Sequence, residues 1–278
     1  MPELPEIQAH AERLHVLFVG NELAGFRPFT FTALKTFSPS PEAAVGQVLN
    51  NVGRRGKYLL LTFADTTFIV HLMQGGRLKP ERSQPPKPRN GIARWSFEDG
   101  RSLLLTEAGT ERKAGVWMCS GDPVGQPPLA KLGPEPASLT ATALHERLTV
   151  NNMRLIGWLR DQSNLAGVGR RLCNEICWRA EMSPYAMTGK FTLAQAAVLL
   201  DAIHDRIGES LDVERTFDEI KPSLERPGAV YHRVGKECVR CGDTICAVTY
   251  SSNSVQYCPT CQTNGKRLAD NTTSRFLK

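Results

Sequence analysis

The chain of 278 residues has no apolar run of membrane-spanning length, and its start lacks the basic-then-apolar order of a secretory signal. Residence in the cytoplasm is therefore the expectation, and the acidic residues clustered at the amino terminus argue against export as well. A strong charge of one sign is missing too: 34 Lys and Arg stand against 28 Asp and Glu, for a sequence pI near 8.9. That mild excess suits a polyanionic partner but excludes little, because many proteins of this balance never meet one. The setting for a disulfide framework is also absent, since the chain is long and carries no export signal. Its eight cysteines need another explanation.

Four of them supply one. Cys238-x-x-Cys241 and Cys258-x-x-Cys261, sixteen residues apart, have the two-knuckle spacing of a structural zinc site. Gly242 after the first pair and Pro259 inside the second put each pair on a tight turn. Four thiolates can then close a tetrahedron that leaves no position open for water or substrate. One structural zinc ion per chain is expected, and a catalytic one is not. Cys119, Cys173 and Cys177 read as buried apolar fillers, and Cys246 as a spare thiol inside the loop.

Apolar periodicity divides the chain into a β-rich front and a helical back. Ile7, Leu14, Leu17 and Phe18 suit an amphipathic helix over Glu6–Phe18. Strands are expected at Lys57–Phe63 and Phe68–Met73, and at Ile92–Phe97 and Arg101–Thr106, paired as two antiparallel hairpins. Two packed sheets follow from strands with two faces to bury. The segment from Gly121 to Pro136 holds five prolines and three glycines and reads as a linker. Helical spacing then recurs at Ala141–Leu148, Met153–Arg160, about Leu172–Arg179, and Leu193–Leu211. Gly167-Val168-Gly169 makes a sharp turn before one of these helices; it is either a plain interhelical turn or a place where main-chain N–H groups meet a phosphate.

The first six residues, Met1-Pro2-Glu3-Leu4-Pro5-Glu6, support two readings. In one, proline near the first turn and acids at the positive end of the dipole are an ordinary helix entry. In the other, removal of Met1 leaves Pro2 as a secondary amine. An α-amino group titrates near pH 8, so a useful fraction is unprotonated at neutral pH and can attack an aldehyde carbon to form a Schiff base. Glu3 and Glu6 then stand beside the amine as proton-transfer groups. Lys57 ends a basic cluster, Arg54-Arg55-Gly56-Lys57, at the start of a strand, where cations commonly only protect an edge.

Taken in order along the chain, these pieces resemble the Fpg/Nei family of bifunctional DNA glycosylases and abasic-site lyases. The matching residues are Pro2 to Glu6, Arg54 to Leu60, His71-Leu72, Leu132-Gly133-Pro134-Glu135-Pro136, Asp161-Gln162 through Gly167-Val168-Gly169, and the cysteine module. The resemblance implies an α+β fold of two domains. Residues 1–120 would form a catalytic β-sandwich with a leading helix and 121–136 the linker. Residues 137–235 would form a helix-two-turns-helix DNA-binding domain and 236–278 a zinc-finger hairpin. It implies excision of oxidised bases from damaged DNA through a Pro2 Schiff base followed by β,δ-elimination, by a monomer of the bacterial cytoplasm associated with the nucleoid. It assigns catalysis to Pro2, Glu3, Glu6 and Lys57, and DNA binding to His71, Gln74, Arg112, Lys113, Gly169, Arg170, Glu175 and Asn253. Glu175 matches a glutamate that supports lesion processing.

Several positions depart from the family pattern. Arg170 stands where Asn usually follows Gly-Val-Gly, Ile156 where a phosphate-binding Lys is common, Asn253 in place of the finger arginine, and Gln74 in place of a Met. Segment Glu107 to Gly115 offers Lys113-Ala114 instead of an aromatic wedge. A lesion-binding relative with reduced or lost turnover, and a zinc-ribbon nucleic-acid binder in which Pro2 is incidental, are the competing readings. Which lesion is preferred, and whether single or double strands, stays open.

Overall fold

The computed structural model describes residues 1–109, 112–222, 225–250 and 253–269. It forms two units, Met1–Lys131 with Glu214–Ile220, and Leu132–Val213 with Lys221–Lys278.

In the first unit the helix α1 (Leu4–Phe18) is followed by eight strands: β1 (Leu23–Pro28), β2 (Asn51–Arg55), β3 (Tyr58–Thr62), β4 (Thr66–His71), β5 (Gly76–Glu81), β6 (Gly91–Phe97), β7 (Ser102–Glu107) and β8 (Gly115–Ser120). Proline in the first turn starts α1, and the Glu6 carboxylate accepts the Glu3 N–H at 2.7 Å, closing one orphan donor of the helix start. Ile7, Ala11, Leu14 and Phe18 recur at helical spacing and are all buried. The strands form two antiparallel four-stranded sheets, ordered β1-β6-β7-β5 and β2-β3-β4-β8. The two hairpins anticipated from the sequence are present, β3–β4 in one sheet and β6–β7 in the other.

Alternation decides which side chains face inward. Leu59 and Leu61 of β3 are fully buried while Tyr58, Leu60 and Thr62 are half-buried. Phe68 of β4 meets Trp95 of β6 edge-on at 5.7 Å and Phe26 of β1 at 5.2 Å, so one aromatic trio joins the facing sheets. Truncating such a buried ring costs about 3–5 kcal/mol.

The second unit contains α2 (Ala141–Val150), α3 (Leu155–Arg160), α4 (Arg170–Arg179), α5 (Leu193–Arg215), the hairpin strands β9 (Cys246–Tyr250) and β10 (Asn253–Tyr257), and the short α6 (Pro259–Thr263). Thr140 caps α2 by accepting the Ala143 N–H at 3.2 Å. Every residue of α4 from Arg171 to Trp178 is buried. Leu144, Trp158, Leu165, Leu172, Ile176, Leu199 and Ile203 form this unit's core.

The division of the chain has one feature the sequence scheme does not contain: Glu214–Ile220 groups with the first unit. Arg13 Nη1 donates to the carbonyls of Glu214 and Phe217 at 3.0 and 2.9 Å, Arg215 pairs with Glu12, and Ile220 joins the sandwich core. Among the described residues no helix is long and apolar enough to cross a membrane.

Candidate active site and nucleic-acid interface

Pro2, Glu3 and Glu6 are all buried at the head of α1, with Glu6 only 1% exposed. What lies level with them follows from how α1 and β2 run past each other. His15 Nδ1 sits 3.1 Å from Asn51 Oδ1, and Arg54 Nε donates to Gln8 Oε1 at 2.8 Å. Seven helical residues climb about 10 Å, and three strand residues advance about the same distance, so helix and strand pass antiparallel in step. Beyond Arg54 the strand runs on to the β2–β3 turn, while from Gln8 the helix runs back to its start at Leu4. The tip of the β2–β3 hairpin and the amino-terminal head of α1 therefore lie toward the same end of this pairing.

That tip is the two-residue turn Gly56-Lys57, with Arg55 and Tyr58 paired across it. Gly56 has φ +57°, the left-handed conformation that a hairpin turn demands at this position and that a side chain would strain. Lys57, expected at the start of a strand, is instead the second turn residue, and it is 91% buried by its surroundings. Its ammonium acts on His71 at the end of β4. Burial first, and the Lys57 charge second, lower the His71 pKa to about 4. His71 is thus neutral at physiological pH. Its Nδ1 accepts the Met73 N–H at 3.2 Å, which leaves the proton on Nε2. Tyr58, to which the sequence analysis assigns no role, lies against the His71 ring at 4.5 Å and against Trp117 at 6.0 Å. An aromatic at the start of a strand, cross-strand from a histidine, is the available signal.

Gln74 is exposed in the turn between β4 and β5. Arg112 and Lys113 are also exposed, and Arg112 Nη2 donates to Asn90 Oδ1 at 3.4 Å. Between Glu107 and Gly115, Thr110 and Glu111 lie outside the described residues.

In the second unit, Gly167-Val168-Gly169 is held by one side chain. Gln162 Oε1 accepts the Gly167 N–H at 3.0 Å and Gln162 Nε2 donates to the Val168 carbonyl at 2.7 Å. Gly167 turns with φ +89°, and Gly169 caps α4. Arg170 is the first helical residue and is exposed, whereas Ile156 is buried in the core, so this position supplies no cation. Glu175 is fully buried. Its carboxylate accepts the N–H groups of Ala229, Val230 and Tyr231 at 2.9–3.1 Å and pairs with Arg206 at 3.1 Å. Its bonds are internal ones.

The sulfurs of Cys238, Cys241, Cys258 and Cys261 lie within 4.8 Å of one another, with Cys238–Cys261 at 3.9 Å and Cys241–Cys258 at 3.4 Å. Zn–S bonds of about 2.3 Å at tetrahedral angles place sulfurs roughly 3.8 Å apart, so the four residues can hold a metal ion. Trp178 of α4 donates its Nε1–H to Cys238 Sγ at 3.4 Å, while Arg240 covers the Trp178 ring at 4.2 Å. Cys119, Cys173 and Cys177 are buried as expected, and burial pushes the Cys177 thiol well up. Asn253 opens β10 opposite Tyr250; its side chain lies outside the described set.

A sandwich led by a Pro-Glu helix, followed by helices and a four-cysteine hairpin, is the fold of a DNA glycosylase. A mutant of Lactococcus lactis Fpg, crystallised with Fapy-dG containing DNA, shares that fold with a TM-score of 0.84 at 23% identity, covering 94% of this chain and 100% of that one. The formamidopyrimidine-DNA glycosylase N-terminal domain matches residues 1–116. A formamidopyrimidine-DNA glycosylase of Magnetococcus marinus is 32% identical over 94% of this chain and 99% of its own length, and one of Geobacter sulfurreducens is 30% identical over 94% and 100%. The chain belongs to the formamidopyrimidine-DNA glycosylase family.

Proposed function

We propose that this chain, by its family a DNA glycosylase of base excision repair, excises oxidised bases from damaged DNA and cleaves the resulting abasic strand through the amine of Pro2. The observation that supports the reading is the burial of Pro2, Glu3 and Glu6 at the head of α1, together with a buried Lys57 in the turn that follows β2, the strand packed on that helix.

The damaged nucleotide leaves the stack, because its sugar carbon is out of reach in a closed duplex. With Met1 removed, the Pro2 nitrogen donates its lone pair to C1′ as the glycosidic bond breaks, and the base departs with that bond's electrons and takes up the proton that the nitrogen gives up. Glu3 passes a proton to the opening sugar oxygen, and Glu6 holds Glu3 in place through its backbone. The iminium that results draws electrons from C2′, so transfer of a C2′ proton to water expels the 3′ phosphate, and transfer of a C4′ proton to water then expels the 5′ phosphate. Lys57 supplies positive charge near the sugar and phosphate, and neutral His71 offers its Nε2–H to a phosphate oxygen. Arg170 at the head of α4 and the N–H groups about Gly169 meet the DNA backbone. Gln74, Arg112 and Lys113 approach the duplex at the lesion, and Asn253 approaches it from the hairpin. Glu175 serves that surface from within by fixing residues 229–231.

Cys238, Cys241, Cys258 and Cys261 would hold one zinc ion, whose contribution is to fix the hairpin's conformation. The protein acts as a monomer on DNA in the cytoplasm, at the nucleoid.

The test is incision of a duplex carrying a single oxidised guanine. β,δ-elimination leaves a gap with phosphate on both ends. Release of the base with an uncut strand, under conditions that preserve abasic sites, would contradict the Pro2 chemistry.

A further inference from the structure

Several surface arginines are matched to carboxylates: Arg101 to Asp99, Arg179 to Asp205 and Glu209, and Arg215 to Glu12. One region breaks the pattern. Residues 26–38 contain four phenylalanines, Arg27 and Lys35 but no Asp or Glu, and residues 82–97 contain Arg82, Lys87, Arg89 and Arg94 and no acid, with Arg94 paired to Glu81 just before them. Arg27, Lys35, Lys87 and Arg89 form no ion pair among the described residues.

The two segments meet at a cavity of about 380 Å³ lined by Arg27, Phe29, Lys87, Asn90 and Arg112, with no acidic residue in its wall among the described residues. This is toward the small end of the roughly 300–1,000 Å³ typical of ligand sites. Arg27 and Arg94 lie over the Phe29 ring at 5.3 and 5.1 Å, which fixes the Arg27 head group at the cavity. From Arg112 the basic surface continues along the chain through Lys113 to Gly115, where the Lys35 stem crosses so closely that an added Cβ would meet its Cε at 2.6 Å.

Phe31 and Phe37 flank this path with relative exposures of 100% and 98%, and no other aromatic among the described residues stands out in solvent to that degree. The backbone between them is pinned. Val116 N–H donates to the Ala33 carbonyl, Lys35 N–H to the Val116 carbonyl, and Met118 N–H to Thr36 Oγ1, at 2.8–2.9 Å. Two fully exposed rings thus stand on an anchored backbone beside unpaired cations. That combination fits unstacked bases and a phosphate backbone; a duplex keeps its base faces covered, and an acidic protein segment gives two rings little to stack on.

We propose that this surface is a binding site for single-stranded DNA, with Arg27, Lys35 and Lys87 on phosphates, Phe31 and Phe37 stacked on bases, and one nucleotide in the Phe29 cavity. It adjoins Arg112 and Lys113, but the five residues assigned to it include neither of these, nor Pro2, nor the four-cysteine hairpin, so it can be altered with the excision groups left in place.

Anisotropy of a labelled oligo-dT of about ten nucleotides, titrated with the full chain at several salt concentrations, provides the test. Phe31→Ala with Phe37→Ala should weaken binding at least about tenfold. Arg27→Ser with Lys87→Ser should lower the slope of log K against log salt by roughly 1.4. Both variants should keep the wild-type Tm and the wild-type rate of abasic-duplex cleavage. Undiminished oligo-dT affinity in the phenylalanine variant would overturn the proposal. So would displacement of oligo-dT by polyglutamate as effective as by unlabelled oligo-dT, which would mark the surface as a site for acidic protein, and so would cleavage falling in parallel with oligo-dT affinity.

Discussion

Glu175 and Arg206 form an ion pair in which the carboxylate has no exposed surface and the guanidinium side chain is 12% exposed. The same carboxylate gathers the N–H groups of Ala229, Val230 and Tyr231, and Arg206 also reaches Glu209. One buried charge therefore organises a stretch of chain that has no regular secondary structure. Breaking a buried pair by removing one partner costs about 3–5 kcal/mol. Glu175→Gln removes the charge and turns an amide donor toward backbone donors. It should lower Tm by roughly 10 °C, taking about 2–4 °C per kcal/mol for a chain of this size, and should speed hydrogen exchange at residues 229–231. A variant with wild-type Tm and exchange would show that this pair does not hold the segment.

Acid should weaken the first unit through two imidazoles. Burial lowers both His10 and His71 to about 4, from an ordinary value of 6.5. Because the folded values lie below the unfolded one, the unfolded chain binds more protons between about pH 6.5 and 4. Stability is full above about pH 6.5 and is lost as pH falls toward 4, by roughly 3 kcal/mol per imidazole at most. His71→Gln should flatten part of that slope when Tm is followed from about pH 7 down to about 4.5. An unchanged slope would place the titration elsewhere.

The strands and helices with clear periodicity were legible in the sequence, and so was the convergence of four cysteines at one hairpin, because Cys-x-x-Cys spacing has few other uses. β1, β2, β5 and β8 were not. Leu23–Pro28 and Asn51–Arg55 mix glycine, proline and charge, and only cross-strand pairing and Trp95 packing make them strands. The attachment of Glu214–Ile220 to the first unit depends on Arg13 and Arg215 finding partners about two hundred residues away, which no local pattern encodes. At the site, residue types were legible and their surroundings were not. Glu175 read as a group near DNA, yet its lone pairs are taken up by backbone N–H groups; Lys57 read as a strand start and is a turn residue.

Wild-type protein should carry one equivalent of zinc, and Cys258→Ser should lose it together with duplex affinity while near-ultraviolet signals from Trp95 and Trp117 in the sandwich persist. A full equivalent of tightly held zinc in Cys258→Ser would contradict the four-thiolate site.

Excision should be slower than abasic cleavage. Turning out a base costs a few kcal/mol and needs wedge and backbone contacts, and here Ile156 is buried and the Arg112–Lys113 turn offers no aromatic ring. An abasic site has no base to unstack. Arg170→Asn with Asn253→Arg should raise excision of an oxidised purine several-fold and leave abasic cleavage nearly unchanged. Equal wild-type rates for the two substrates, unmoved by the double replacement, would remove the argument.

The central claim is that the Pro2 nitrogen bonds covalently to the sugar. Borohydride added to the protein with abasic DNA should trap a complex that survives denaturation, with the DNA mapped by mass spectrometry to Pro2 as the first residue. Adding one residue before Pro2 converts the amine to an amide, and trapping should disappear while DNA binding remains. Undiminished trapping in the extended protein, or DNA mapped to a lysine, would contradict the account.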